Sequence, residues 1–344
     1  MKILHLLNSS SYSGAENVAI TIIKNMSKNY HAAYASRDGD IKRILLKEKI
    51  DYYPIKRMTP KEVKQIIKDY KPDIIHAHDF TASVVAALTK TKIPIISHLH
   101  NNTPWLKKYH LYSFIYLIST FRFKKILGVS QSIFDEYVFS KYIKDKIEVI
   151  SNPINVKNIK LKSNYGIKKQ YDIIFIGRLT KPKNPLKFID LIAQVKKDLP
   201  DIRVAMIGNG ELHTECKNKI NHLSLNNNIE LLGFLDNPYG ILSQCKVLCM
   251  TSEWEGFGLV AVEALSLGIP VVATPVGGLS GIINSSCGLL TFDDQIYIDE
   301  VKRIILDKKY WEKKSKSALK RANELDNLKE YISIIDNIYK NIIT

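Results

Sequence analysis

Short apolar runs of strand length alternate with segments of helical spacing along the whole chain, and this rhythm constrains the fold more than any other feature. Residues 2–7 form one such run; residues 15–30 follow with apolar positions at Val18, Ile22, Ile23 and Met26, one helix face. Thr59-Pro60-Lys61-Glu62 has capping-box spacing with proline at the first helical position, and Pro72 stops that helix before a strand over 73–78. Further strands are expected at 93–99, 126–129 and 147–150. Strands separated this regularly by helices need crossover connections, which predicts a parallel, doubly wound sheet.

Around residues 151–170 the pattern dissolves into Asn, Lys and Ser with Pro153, and reads as a connection between domains. A second series of strands is expected at 172–176, 202–207, 230–232, 247–251 and 271–273. The reading is an α/β chain of two Rossmann-like domains, 1–152 and 171–325, facing each other across a cleft. A total of 344 residues suits two domains. Residues 326–344 carry Leu328, Tyr331, Ile332, Ile335, Ile338 and Tyr339 at amphipathic spacing, and this helix is expected to cross back to the first domain.

The formal net charge is +16, unevenly spread: residues 1–152 hold 24 basic and 13 acidic groups, the remainder 26 and 21. An anionic partner for the first half is one reading and a solvated lysine-rich surface the other. Four cysteines without a Cys-x2-Cys pair suggest neither a disulfide framework nor zinc, and favour a reducing cytosol. No run approaches the 18 apolar residues of a membrane span. Asp38-Gly39-Asp40 offers a carboxylate pair, but a plain turn before Ile41 explains it better, so no metal is expected.

Two loops carry the chemistry. In Thr251-Ser252-Glu253-Trp254-Glu255-Gly256-Phe257-Gly258-Leu259 a strand ends, glycines turn the chain, and a helix starts near Gly258, to be closed by Gly268. Free amides at that helix start suit an anion, and Glu255 and Glu263 flank a phosphate-sized site where each carboxylate can accept a sugar diol. The second loop, Gly177-Arg178-Leu179-Thr180-Lys181-Pro182-Lys183-Asn184, follows the strand at 172–176. Arg178 offers a fork and Lys183 a compact charge for a diphosphate; Lys181 is the expected bystander.

Gly177-Arg178-Leu179 and Lys183 together with Glu255-Gly256-Phe257-Gly258 through Glu263 resemble the retaining glycosyltransferases of family 4, with the GT-B fold. The likeness runs from Ser13-Gly14-Ala15-Glu16 through Gly208-Asn209-Gly210 and Gly277-Gly278 to Gly288-Leu289-Leu290. It implies that Arg178 and Lys183 hold a donor diphosphate, Glu263 the ribose and Glu255 the transferred sugar. Phe257, Gly258 and Leu259 would line that site, with Phe234 near the base. Gly14 would lie beside the donor phosphates, with Ser13 where the family has its first glycine. His100, at the end of the strand over 93–99, aligns with the family's active-site histidine. His98, one strand pitch earlier, is expected to point the other way, and His76 and His78 to line the acceptor side. Lys246 and Gly281 depart from the family's usual Asp and Glu.

The reading is a metal-independent, cofactor-free enzyme moving a hexosyl unit from a nucleotide diphosphate sugar, UDP favoured, to a carbohydrate or lipid-linked acceptor in bacterial surface polysaccharide assembly. It is expected in the cytoplasm or at the inner face of the cell membrane. Residues 109–123, flanked by Trp105, Lys107, Lys108, Arg122, Lys124 and Lys125, are either a helix resting on an anionic membrane or a buried one. A sugar-nucleotide epimerase and a non-catalytic basic binding partner are the rivals. A nucleic-acid protein would show a recognisable module, and none is present. A dehydrogenase would carry Gly-x-Gly-x-x-Gly after the first strand, where Leu7-Asn8-Ser9-Ser10-Ser11-Tyr12-Ser13-Gly14 stands instead.

Overall fold

The computed structural model describes residues 1–101 and 103–343, and the chain divides into two compact units, residues 1–153 with 327–344, and residues 154–326. In chain order the first unit contains β1 (Lys2–Leu6), α1 (Gly14–Asn25), β2 (His31–Arg37), α2 (Ile41–Lys47), β3 (Asp51–Ile55), α3 (Pro60–Tyr70), β4 (Ile74–Ala77), α4 (Phe80–Leu88), β5 (Ile95–Leu99), α5 (Leu111–Thr120), β6 (Phe123–Gly128), α6 (Gln131–Asp135) and β7 (Ile147–Val149). The second contains α7 (Val156–Ser163), β8 (Ile173–Ile176), α8 (Pro185–Asp198), β9 (Val204–Ile207), α9 (His213–His222), β10 (Ile229–Gly233), α10 (Tyr239–Leu242), β11 (Val247–Met250), α11 (Leu259–Ser266), β12 (Val271–Ala273), β13 (Gly288–Leu290), α12 (Asp294–Leu306) and α13 (Lys308–Leu325), before α14 (Leu328–Ile343) returns to the first unit.

All strand pairs are parallel, in the orders β3-β2-β1-β4-β5-β6-β7 and β10-β9-β8-β11-β12-β13. Each sheet therefore has one point where the strand order reverses, β1/β4 in the first unit and β8/β11 in the second. Ligands of open parallel sheets bind outside the carboxyl ends of the strands at such points. The apolar runs form strands because both faces are covered: every residue of β4, β5, β9 and β11 is buried. In unit 2, Ile173, Phe175, Val204 and Met206 pack against Phe188, Ile192 and Val195 of α8.

The capping at Thr59 is half of the expected box. Thr59 Oγ1 accepts from Glu62 N at 3.4 Å, while the Glu62 carboxylate turns back to Lys56 N and Arg57 N at 2.7 and 3.1 Å. Lys71 takes the left-handed conformation after α3, and Pro72 follows. The segment 151–170 is not all connection: residues 156–163 form α7, capped by Asn155 Oδ1 on Asn158 N at 2.9 Å. Asp38-Gly39-Asp40 is a turn feeding α2, with Gly39 N donating to Asp38 Oδ1 at 3.1 Å.

Candidate functional site

In unit 2 the residues singled out in the sequence lie in loops leaving adjacent strands, β10, β9, β8, β11 and β12, on the carboxyl side of the sheet. Two loops straddle the β8/β11 reversal and are laced together: Glu253 N donates to Pro182 O at 2.9 Å, and Thr251 Oγ1 donates to Asn184 O at 2.9 Å. Lys183 lies over Gly177, and its ammonium donates to Glu255 Oε2, both side chains being largely buried. Ser252 Oγ donates to the same oxygen at 3.3 Å. Arg178 is exposed, and its guanidinium has no hydrogen bond or ion pair among the described residues.

The glycines of the neighbouring loops let these segments interlock. A Cβ on Gly208, at φ +140°, would stand 1.9 Å from the Gly177 carbonyl oxygen; one on Gly277, at φ +56°, would stand 1.6 Å from that of Glu255. No other residue fits, since side chains neither tolerate those φ values nor that approach. Leu179 N donates to Asn209 O at 3.0 Å and Gly278 N to Gly256 O at 3.2 Å, completing the lacing. Gly258 immediately precedes α11, so the amides of its first turn, Leu259 onward, lack helical partners. Phe257 is buried beneath this turn, while Phe234, past the end of β10, is exposed.

Glu263 sits on the second turn of α11. Tyr239 of α10 donates its hydroxyl to Glu263 Oε1 at 2.9 Å. Burial pushes the carboxyl's pKa up, opposed by the Tyr239 hydrogen bond and the charge of Lys162 on α7. Tyr239 and Lys162 escaped the sequence reading. The second lies in a segment read as linker, and the first is 24 residues from its partner, a distance no local pattern spans.

Unit 1 places His100 just beyond β5 and Gly14 at the exposed first position of α1, where Ser13 Oγ donates to Glu16 Oε2 at 2.5 Å. His98 does not point away from His100. Side chains two apart on a strand share a face, and the two rings lie 4.2 Å apart. His5, His76, His78, His98 and His100, from β1, β4 and β5, are all buried on that face.

These rings form two hydrogen-bonded ribbons stacked on each other. In one, His5 Nδ1 and His78 Nε2 are 2.8 Å apart, and His78 Nδ1 and His100 Nε2 3.2 Å. In the other, Tyr339 Oη meets His76 Nδ1 at 2.7 Å, and His76 Nε2 meets His98 Nδ1 at 3.2 Å. The centroid separations of the bonded rings, 5.1 to 5.4 Å, exceed the nitrogen separations by about one ring diameter. The rings therefore meet edge to edge within each ribbon, while His76 and His78 stack at 4.1 Å between ribbons.

Burial lowers all five imidazole pKa values, His5 and His100 to about 3. The rings are neutral, each with one N–H, so the tautomers along His5, His78 and His100 must run in one direction. The two directions differ in whether His100 Nδ1, which is buried without a hydrogen-bond partner, carries the proton. Among the described residues the triads with ligand nitrogens within 4.8 Å of one another are His5/His76/His78 and His78/His98/His100.

Comparison with known proteins agrees with this architecture. A family model described as Glycosyltransferase Family 4 matches residues 12–158, and one described as Glycosyl transferases group 1 matches residues 157–323. An uncharacterised glycosyltransferase of Methanocaldococcus jannaschii is 28% identical over 290 residues, covering 74% of this chain and 71% of that protein. A Campylobacter jejuni α-1,4-N-acetyl-D-galactosaminyltransferase, named for an acceptor linked to undecaprenol diphosphate, is 25% identical over 353 residues, 96% of each chain. Among solved structures, HepE of Anabaena in complex with UDP-glucose superimposes with a TM-score of 0.87 at 24% identity, covering 99% of this chain and all of that one. Two family models meeting end to end, on two Rossmann-like units of the GT-B fold, place the chain among the family 4 glycosyltransferases.

Proposed function

We propose that the chain is a retaining, metal-independent hexosyltransferase that takes its sugar from a UDP-sugar and delivers it to a carbohydrate or lipid-linked oligosaccharide, in surface polysaccharide assembly at the cytoplasmic face of a membrane. The observation that carries this reading is the Lys183–Glu255 pair at the β8/β11 reversal, beside an unpaired Arg178 and the open first turn of α11. As the donor bond breaks, positive charge develops on the sugar carbon and negative charge on the leaving diphosphate. Arg178, the remaining N–H groups of Lys183 and the amides at Gly258 and Leu259 stabilise that diphosphate. Glu255 Oε1 stays open to accept sugar hydroxyls, while Lys183 and Ser252 fix Oε2. Glu263 accepts the ribose hydroxyls, and Phe257 and Phe234 shape the walls for sugar and base.

His100 is neutral at working pH, and its Nδ1, the ring nitrogen that makes no hydrogen bond within the unit, serves a sugar hydroxyl, while Gly14 lets the chain approach the donor phosphates. The leaving phosphate assists deprotonation of an acceptor attacking from the same face. Support for UDP and for a lipid-linked acceptor comes from HepE, solved with UDP-glucose, and from the undecaprenol-linked acceptor of the Campylobacter relative. Calorimetry with UDP is the test: we expect saturable binding, and Glu263→Ala to weaken it by about tenfold or more, the loss of a charged hydrogen-bond acceptor. Absence of UDP binding by the intact chain, or undiminished affinity in the variant, overturns the donor assignment.

A further inference from the structure

Helix α5 is built inside out. Its buried side carries Ser113, Tyr116, Ser119 and Thr120, and its solvent side carries Leu111, Phe114 and Ile118, continued by Phe121. The spacing 111, 114, 118, 121 is a single stripe along a helix face. Leu111 is 68% exposed, Ile118 66% and Phe121 82%, and Tyr109 and Tyr112 flank the stripe, also exposed.

The inward polar groups are satisfied locally, which explains how this arrangement folds. Ser113 Oγ donates to Trp105 O at 2.6 Å, Ser119 Oγ to Ile115 O at 2.8 Å and Thr120 Oγ1 to Leu117 O at 2.6 Å. Tyr116 and Ser97 share a buried hydroxyl pair at 2.7 Å. Of the stripe, Phe114 alone meets another ring of unit 1, Phe139 at 4.6 Å, and Leu111, Ile118 and Phe121 stand out in solvent. A contiguous apolar surface of this kind marks an interaction site.

Charge selects the partner. Residues 80–134 contain seven basic and no acidic residues. Lys108, Arg122 and Lys124 are exposed at the two ends of the stripe, while Lys107, also exposed, is paired with Glu136 at 3.0 Å. A second copy docking face to face would set these cations against each other, whereas an anionic lipid surface offers phosphates at the rim and acyl chains at the centre. No helix among the described residues is long and apolar enough to cross a membrane, so the contact is one of seating on the surface.

We infer that α5 seats unit 1 on an anionic lipid leaflet, with Leu111, Phe114, Ile118 and Phe121 entering the acyl boundary and Lys108, Arg122 and Lys124 at the headgroup phosphates. This deepens the lipid-linked acceptor reading but rests on α5 alone, so either can fail without the other. The test is co-sedimentation of the full chain with vesicles of phosphatidylcholine alone or with about 30% phosphatidylglycerol, the anionic lipid of the surface-charge argument. The expected result is binding to the phosphatidylglycerol vesicles that weakens with salt. Phe114→Ser/Ile118→Ser/Phe121→Ser should reduce it by more than about tenfold, and each of Lys108→Gln and Lys124→Gln by roughly fivefold. UDP binding serves as the control and should stay at the wild-type value; because Phe114 also rests on Phe139, the double variant Ile118→Ser/Phe121→Ser is run beside the triple and should lose vesicle binding with its unfolding midpoint unchanged. Wild-type chain that ignores phosphatidylglycerol vesicles, or a triple variant that binds as well, overturns the inference. So does a wild-type dimer in solution that the triple variant converts to monomer, which would assign the stripe to a second copy.

Discussion

In unit 1 the β1/β4 reversal is filled by five buried imidazoles, whereas in unit 2 the β8/β11 reversal holds a lysine–glutamate pair, an open arginine and a second glutamate. Both sheets run in the same strand order there, so topology alone does not decide what the position does. The imidazoles bond one another in two ribbons and are held neutral by burial. The unit 2 groups leave bonding capacity free, at Arg178 and at the second oxygen of Glu255, and burial raises the pKa of Glu263. One reversal is organised as a polar core with a fixed pattern of protons; at the other lie the groups we propose for anionic and hydroxylated ligands.

The largest consequence of that contrast is acid sensitivity confined to unit 1. Folded, His5 and His100 have pKa values near 3, and His76, His78 and His98 lie well below the ordinary 6.5. Unfolded, each binds a proton as pH falls through about 6.5. The unfolded state therefore gains protons that the folded state refuses, and stability is present above 6.5 and lost below it. Between pH 7.5 and 5.5 each histidine that stays neutral in the folded state contributes a loss on the order of 1 kcal/mol. Hydrogen exchange resolved by peptide should show β1, β4 and β5 losing protection over this range while β8, β9 and β11 keep theirs. Equal loss in both units, or a flat profile in β4, would show that the imidazole ribbons are not neutral as folded.

A smaller effect is expected where unit 2 carries charge. Lys183→Ala removes the cation we propose for the leaving phosphate and frees Glu255 from its partner, without opening the core beneath. Turnover at saturating donor should fall by about 10² to 10³, the usual loss for a donor to developing negative charge. Unfolding of unit 2 should stay near its wild-type midpoint. A variant that turns over at the wild-type rate would leave the pair at the reversal as a structural latch and remove the mechanism built on it.

How much of this was written in the sequence depends on the range of the interaction. The strands were legible because a parallel strand covered on both faces must be apolar throughout, as residues 74–77 and 247–250 nearly are. The loops at 177–184 and 251–259 were legible because they follow such strands directly and carry glycines and charges together. Helix α7 was missed because only Val156 and Ile159 of its eight residues are buried, too few to register as a face among lysines and asparagines. The misplacement of His98 had another cause, a miscounted period: two residues along a strand return to the same side. The part played by His5, and by Tyr339 as the end of the second ribbon, depends on pairings 73 and 263 residues apart. Only the folded topology supplies such pairings.

The smallest effect probes the border between the two kinds of site, because Glu263 is a charged ligand group in a setting that raises its pKa as burial does elsewhere. The Tyr239 hydroxyl opposes that rise by donating to Oε1. Tyr239→Phe removes the bond while keeping the ring, so the carboxyl should titrate higher still. A larger fraction of Glu263 would then be protonated as pH falls, and a protonated carboxyl accepts ribose hydroxyls less well. We expect UDP affinity to drop about fivefold, the worth of one ordinary hydrogen bond at about 1 kcal/mol, with a greater deficit at pH 6 than at pH 8. A deficit that is the same at both pH values would make Tyr239 a packing residue for α10 rather than the group that keeps Glu263 ionised.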